Sequence, residues 1–242
     1  MNGAMHMRYE IVRSIRNPLT LGFTLGLPLV VFLAVAGTNR HGTVEGISVP
    51  LYFMGAMAAY GAMLAAVQSG GRIALDRSKG WTRQLRITPL RIRTYFVAKI
   101  VVAYLVALVS LAALFAAGTA MGVHLAGGRW LELAALLLVG LAPLVVLGIA
   151  LGHLLTPDSL TAGVGGLVAV LAMLGGAFGP VFTSGTMLSV VKFVPSYWLV
   201  QASRVSVGGG GWPGEAWAVV AGWTVVFALG ALAAYRRDTA RV

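Results

Sequence analysis

Long apolar runs separated by short polar stretches divide the 242-residue chain. Runs over 19–36, 51–69, 96–121, 131–155, 161–178 and 215–235 are each near the ~20 residues an α-helix needs to cross a bilayer, which predicts six spans. Ahead of the first, Met7, Ile11 and Ile15 recur at i, i+4 and i+8, with Arg8, Arg13 and Arg16 around the rest of the turn. That pattern predicts an interfacial helix over 1–17 lying in the membrane surface. The polar stretch 38–50, with Arg40 and Glu45, reads as the first outside loop. Thr156-Pro157-Asp158-Ser159 reads as a short inner turn, with Asp158 or Ser159 placed to cap the fifth span.

Between 179 and 214 the pattern loosens. Pro180, Pro195 and Pro213, the glycine run 208–211, and Lys192 and Arg204 are mixed with apolar residues. This segment is too apolar for a free loop and too broken for a spanning helix, so short re-entrant helices buried against protein are expected. The fold class is therefore an all-α integral membrane protein with six transmembrane helices, an amino-terminal interfacial helix, and short broken helices before the last span. One transmembrane domain is expected over 1–242, with no sizeable soluble domain.

Composition agrees: 58% of residues are hydrophobic and 10% charged, against roughly 25% charged in an ordinary soluble domain. The net charge of +11 reflects Lys and Arg flanking spans and does not imply nucleic-acid binding. Of the 18 Lys and Arg residues, only Arg40, Arg129, Lys192 and Arg204 fall on one side of the six-span layout. Because basic residues are retained in the cytoplasm, both termini and the central loop are expected there, in the cell membrane. Ala34-Val35-Ala36 imitates a signal-peptidase site, but the run before it is long and interrupted by Pro28, so an uncleaved first span is expected. There is no cysteine, which excludes disulfides, thiolate metal sites and cysteine nucleophiles.

The densest charge lies in the central loop over 70–95, where Arg72, Arg77, Lys79, Arg83, Arg86, Arg91 and Arg93 stand against Asp76. Within it Asp76-Arg77, Gly80-Trp81, Gln84-Leu85-Arg86 and Thr88-Pro89-Leu90 form an ordered series, with Trp81 and Leu85 one helical turn apart. Such a helix suits a partner's groove, the apolar pair anchoring it and Arg77, Arg83 and Arg86 orienting it. The charge alone equally suits anionic lipid headgroups. At Asp76, Arg77, Gly80, Leu85 and Pro89 the sequence resembles the ABC-2 family of ABC transporter permeases, whose first cytoplasmic loop shows an acid-Arg pair, a Gly, a Leu and then Pro. Lys79 stands where that family often has a second acid. The resemblance extends to the surface helix, the six spans and the broken outer segment.

What the resemblance implies is a permease subunit of an ATP-driven exporter, working as a homodimer on two separate ATPase chains that carry the ATP and Mg. The central loop would be the coupling helix, with Asp76, Arg77, Gly80, Trp81, Arg83, Leu85, Arg86 and Pro89 facing the ATPase. Closure of the ATPases would push on residues 81–89 and tilt spans one, two and five, opening a path between protomers. No G-x-x-x-x-G-K-[ST] occurs, so no phosphate-cradling loop of that type lies in this chain.

Other patterns carry less. Gly22/Gly26, Gly118/Gly122, Gly148/Gly152 and Gly175/Gly179 each make G-x-x-x-G, which suits close helix packing within a protomer or at a dimer seam. Tyr52, Met54, Met57 and Tyr60 give the second span a character that suits either a path for varied apolar cargo or plain packing. Lys192, Pro195, Tyr197, Trp198 and Arg204 join charge, helix breaks and interfacial aromatics in an expected outer gate. Few polar groups lie inside the spans, among them Thr24, Gln68, Ser110, Thr119 and Thr224, which favours a hydrophobic or amphiphilic cargo such as a lipid or drug-like natural product over a lipid-linked glycan. His124, Glu132, His153 and Asp158 read as polar residues at membrane edges. A rival class, an intramembrane serine enzyme using Ser184, Ser189 or Ser196, has no recognised nucleophile motif behind it. A secondary transporter would need ionisable residues inside the spans.

Overall fold

The structure is a computed structural model that describes residues 7, 8, 10–13, 21–80, 92–181, 184–208 and 211–240. Among the described residues five helices are long and apolar enough to cross a membrane: α2 (Val49–Ser78), α3 (Ile92–Ala120), the joined pair α4 (Gly127–Gly140) and α5 (Ala142–Leu154), α6 (Pro157–Gly175) and α9 (Gly214–Ala240). The first expected span is α1, the shorter apolar helix Gly22–Thr38. The broken segment forms two short helices, α7 (Gly185–Lys192) and α8 (Pro195–Gly208). The chain is an all-α membrane protein.

Prolines explain the irregularities. In α1 the stretch Gly22–Gly26 is a π-helix, with the Leu27 N–H bonding the Gly22 carbonyl just before Pro28. Such one-turn bulges relieve a helix where its regular ladder fails. The fourth span breaks at Leu141, two residues before Pro143, whose ring cannot continue the ladder. The fifth span starts at Pro157, so the cap is Thr156, which accepts a bond from the Ser159 N–H at 3.3 Å. That corrects the expected cap at Asp158 or Ser159: proline takes the first helical position, so the cap is the residue just before it.

Helix α2 is the centre of the protein. It packs against α1, α3, α5, α6 and α8, and nearly every side chain from Val49 to Ala74 is buried. Its richness in Gly and Ala allows that many neighbours, since small residues let helix backbones approach closely. A Cβ on Gly70 would overlap the Gly148 carbonyl, and one on Gly148 the Ala66 carbonyl, so α2 and α5 touch backbone to backbone. By contrast α9 leans on α5 and keeps much of its surface exposed and apolar, as at Leu229 and Val225.

The two ends of the bundle differ. At one, β1 (Thr43–Val44) and β2 (Ile47–Ser48) pair antiparallel through a two-residue turn. Glu45 and Gly46 both have positive φ, 52° and 79°, the geometry of a type I′ hairpin. The other end is basic and holds the end of α2, the start of α3 and residues 10–13.

Candidate functional site

The central loop expected over 70–95 is helical at both margins: α2 continues through Ser78 and α3 begins at Ile92. Polar side chains make the extension of α2 favourable by finding partners on neighbouring elements. Lys99, on the second turn of α3 and 2% exposed, points its ammonium between two carboxylates, Asp76 Oδ2 at 2.7 Å and Glu10 Oε2 at 3.0 Å. The other Asp76 oxygen accepts from Arg13 Nη1 at 3.2 Å. A cation–π contact with Tyr95, 5.2 Å from ammonium to ring centroid, covers the remaining side of Lys99. Arg72 feels the charges of Glu10, Arg13 and Asp76, and its Nη1 is buried without a hydrogen-bond partner among the described residues. A charge this deep is tolerated only when paired and hydrogen-bonded. Here the pairing ties the amino-terminal segment, α2 and α3 into one body.

Arg77 faces another way. Its Nη1 donates to the carbonyls of Gly152 at 3.0 Å and Leu155 at 3.4 Å, at the end of α5. Those carbonyls lack intrahelical partners and carry the negative end of the helix dipole, so a guanidinium there is favourable. Gly80, at φ 69°, ends α2, with its N–H on the Arg77 carbonyl at 3.0 Å. Of the residues expected to face an ATPase, Asp76 and Arg77 thus make contacts inside the protein. Trp81, Arg83, Leu85, Arg86 and Pro89 lie outside the described residues.

At the hairpin end Tyr52 is the hub. Its hydroxyl donates to the Gly176 carbonyl at 2.7 Å and accepts from Arg204 Nη2. The guanidinium lies 4.9 Å from the Tyr52 ring centroid and reaches Glu45 Oε2 at 3.1 Å. Gly176 follows the end of α6 with φ 78°, the left-handed cap that glycine adopts without strain. The rest of the expected outer gate packs within the segment. Pro195 opens α8, Trp198 is buried and donates to the Lys192 carbonyl at 2.8 Å, and Tyr197 stacks edge-on to it at 5.1 Å. Burial pushes the Tyr197 phenol above its ordinary range, against the opposing pull of Arg204. Ser196 is buried and donates to the Leu171 carbonyl at 2.7 Å, fastening α8 to α6.

Met54 and Met57 are fully buried, and Tyr52 and Tyr60 nearly so, inside the packing around α2. Met54 lies against Gly118 of α3, and Tyr60 meets Phe178 edge-on at 5.6 Å. His153, expected at a membrane edge, is buried in a trio with Phe96 and Tyr235, with ring centroids 5.8 and 5.6 Å away.

The sequence did not reveal Lys99, Glu10, Arg13 and Tyr52 as polar partners. Two signals were present: Glu10 is the one acid in the amino-terminal segment, and Lys99 is followed by an uninterrupted apolar run.

A sequence profile of the ABC-2 family transporter proteins matches residues 21–235. A protein of Bacillus subtilis (strain 168) whose name is that of a transport permease, YvfS, is 23% identical over 205 residues, covering 83% of this chain and 83% of that one. No solved structure matches the chain. The profile spans every helix from α1 to the body of α9 and both polar clusters described above, save the amino-terminal residues that pair with Lys99. The chain belongs to the ABC-2 family of transporter proteins and is a multi-pass membrane transport permease.

Proposed function

We propose that the chain is the membrane subunit of an ATP-driven exporter, a homodimer of permeases working with two ABC ATPase chains in the cell membrane, both termini cytoplasmic. Family membership supports an ATPase partner, since ABC-2 permeases normally work with one. The observation that carries the mechanism is the ion-pair cluster at the foot of residues 79–91. Lys99, Asp76, Glu10 and Arg13 join the two helices that flank this stretch to the amino-terminal segment, while Arg77 joins α2 to α5. A push on that stretch would therefore reach several elements together. Trp81, Leu85 and Pro89 supply the ATPase contact, with Arg83 and Arg86 orienting it. ATP and Mg bind on the partner, and this chain carries out no hydrolysis.

The cargo is hydrophobic or amphiphilic, a lipid or a drug-like natural product taken from the cytoplasm or inner leaflet. Hydroxyls inside the spans are committed to backbone carbonyls, Ser110 to Thr24 at 3.1 Å, Ser69 to Ala66 at 2.6 Å and Thr224 to Val220 at 2.6 Å. A hydrophilic cargo stripped of water would lose several kcal/mol for each polar group left unmatched. The Tyr52–Arg204–Glu45 set at the hairpin end supports a second reading, a lipid-linked glycan, whose hydroxyls such groups suit. In vesicles holding the permease and its ATPase, ATP turnover should rise with hydrophobic compounds. Stimulation by lipid-linked or free glycans alone would reject the amphiphile and leave the exporter class intact.

A further inference from the structure

Helix α2 runs without a break from the polar hub at one end of the bundle to the ion-pair cluster at the other. Tyr52 stands in its first turn and Asp76 in its last, a separation of about 36 Å at the rise of an α-helix. Both ends are held by directional polar bonds, whereas the length between is apolar, rich in small residues and enclosed by five other helices. Three separate elements at the hairpin end meet at the one Tyr52 hydroxyl and the guanidinium beside it. The hairpin enters through Glu45, the end of α6 through the Gly176 carbonyl, and α8 through Arg204 itself. Hydrogen bonds weaken steeply once their angle is lost. A shift of α2 by about 1–2 Å, the size common at packed helix interfaces, would break this set as a unit. The apolar contacts of α2 with α6 and α8 have no such directional demand, while α5 is tied to α2 by close packing and by Arg77.

We propose that Tyr52 and Arg204 form the joint by which α2 carries the nucleotide state of the ATPase to the outer segment. They are positioning residues for transport: with the joint made, the hairpin, the end of α6 and α8 are held as one cap, and displacement of α2 releases them. The proposal rests on the ATP-driven exporter reading. It does not use Tyr52 as a cargo contact.

The chain lacks cysteine, so Thr43→Cys on the exposed face of β1 makes a single reporter. The permease carrying it, co-expressed with its partner ABC ATPase, is labelled from outside with an impermeant maleimide, before and after trapping with MgATP and vanadate. The labelling rate should change about fivefold or more on trapping, the lower end of ordinary coupling between sites. Tyr52→Phe, which removes only the bridging hydroxyl, should bring that ratio near one while ATPase co-purification and unstimulated ATP turnover stay unchanged. Arg204→Lys should do the same, because an ammonium lacks the fork that serves Tyr52 and Glu45 together. A merely structural role would alter thermal stability or the resting rate and leave the nucleotide dependence in place. A full response to trapping in both variants overturns the joint and leaves the exporter reading standing. No response in the parent overturns it as well, and ATP-dependent flux in the same preparation then decides whether the exporter reading falls with it.

Discussion

A buried lysine needs a complete set of partners, and Lys99, 2% exposed, has two carboxylates within 3.0 Å. Truncating one member of such a group strands the others, which typically costs about 3–5 kcal/mol, whereas replacing the whole group by neutral residues is far milder. Lys99→Met should therefore lower the midpoint of thermal unfolding in detergent sharply. The triple variant with Glu10→Gln and Asp76→Asn should recover much of the loss, less what Arg13 loses at Asp76. Equal midpoints for the single variant and the parent would show that the ion pairs contribute nothing. The sequence made the acid-Arg pair at 76–77 visible but not the direction of either side chain. Successive residues on a helix point about 100° apart, so Asp76 turns to α3 and Arg77 to the end of α5. Glu10 is 89 positions from Lys99, a separation that no local spacing rule reaches.

At the scale of elements, G-x-x-x-G marks four pairs alike in sequence, yet they do different things in the fold. Gly148 and Gly152 face the backbone of α2 at Ala66 and Gly70, with no room for a methyl group. Gly22 and Gly26 have open space around them, while Gly122 ends α3 at φ 87° and Gly179 lies in the turn beyond α6 at φ 132°. Gly148→Ala or Gly152→Ala should destabilise the protein by about 1–3 kcal/mol, the usual cost of overpacking against atoms that cannot rotate away. Gly165→Ala on α6, where a Cβ meets nothing, should be neutral or slightly stabilising. Thermal unfolding of the three variants side by side checks this, and equal effects at all three positions would contradict the close α2–α5 crossing. Apolar periodicity located nearly every helix because hydrophobic length is the bilayer's main demand on a chain. It was silent on the break at Leu141, the extension of α2 to Ser78 and the π-helix at Gly22–Gly26, which depend on proline and on polar partners supplied by other elements.

For the whole molecule, the positive-inside distribution predicts an orientation that single cysteines can read cleanly. In sealed cells Ser78→Cys and Thr239→Cys should be shielded from an impermeant reagent while Thr43→Cys labels; labelling at Ser78 would invert the topology. The family and the multi-pass architecture were legible from residues 76–89 and the apolar runs, whereas the cargo was not. In the proposed function ATP hydrolysis on a partner drives transport through this chain by way of residues 81–89, so ATP-dependent flux is the decisive measurement. Vesicles holding the permease and its ATPase should move a hydrophobic fluorescent compound only with hydrolysable ATP. The Trp81→Ala, Leu85→Ala pair should lose that flux along with ATPase docking, each truncated anchor costing ~1 to 2 kcal/mol of binding. Undiminished flux in the double variant, or flux that persists without the ATPase, would contradict it.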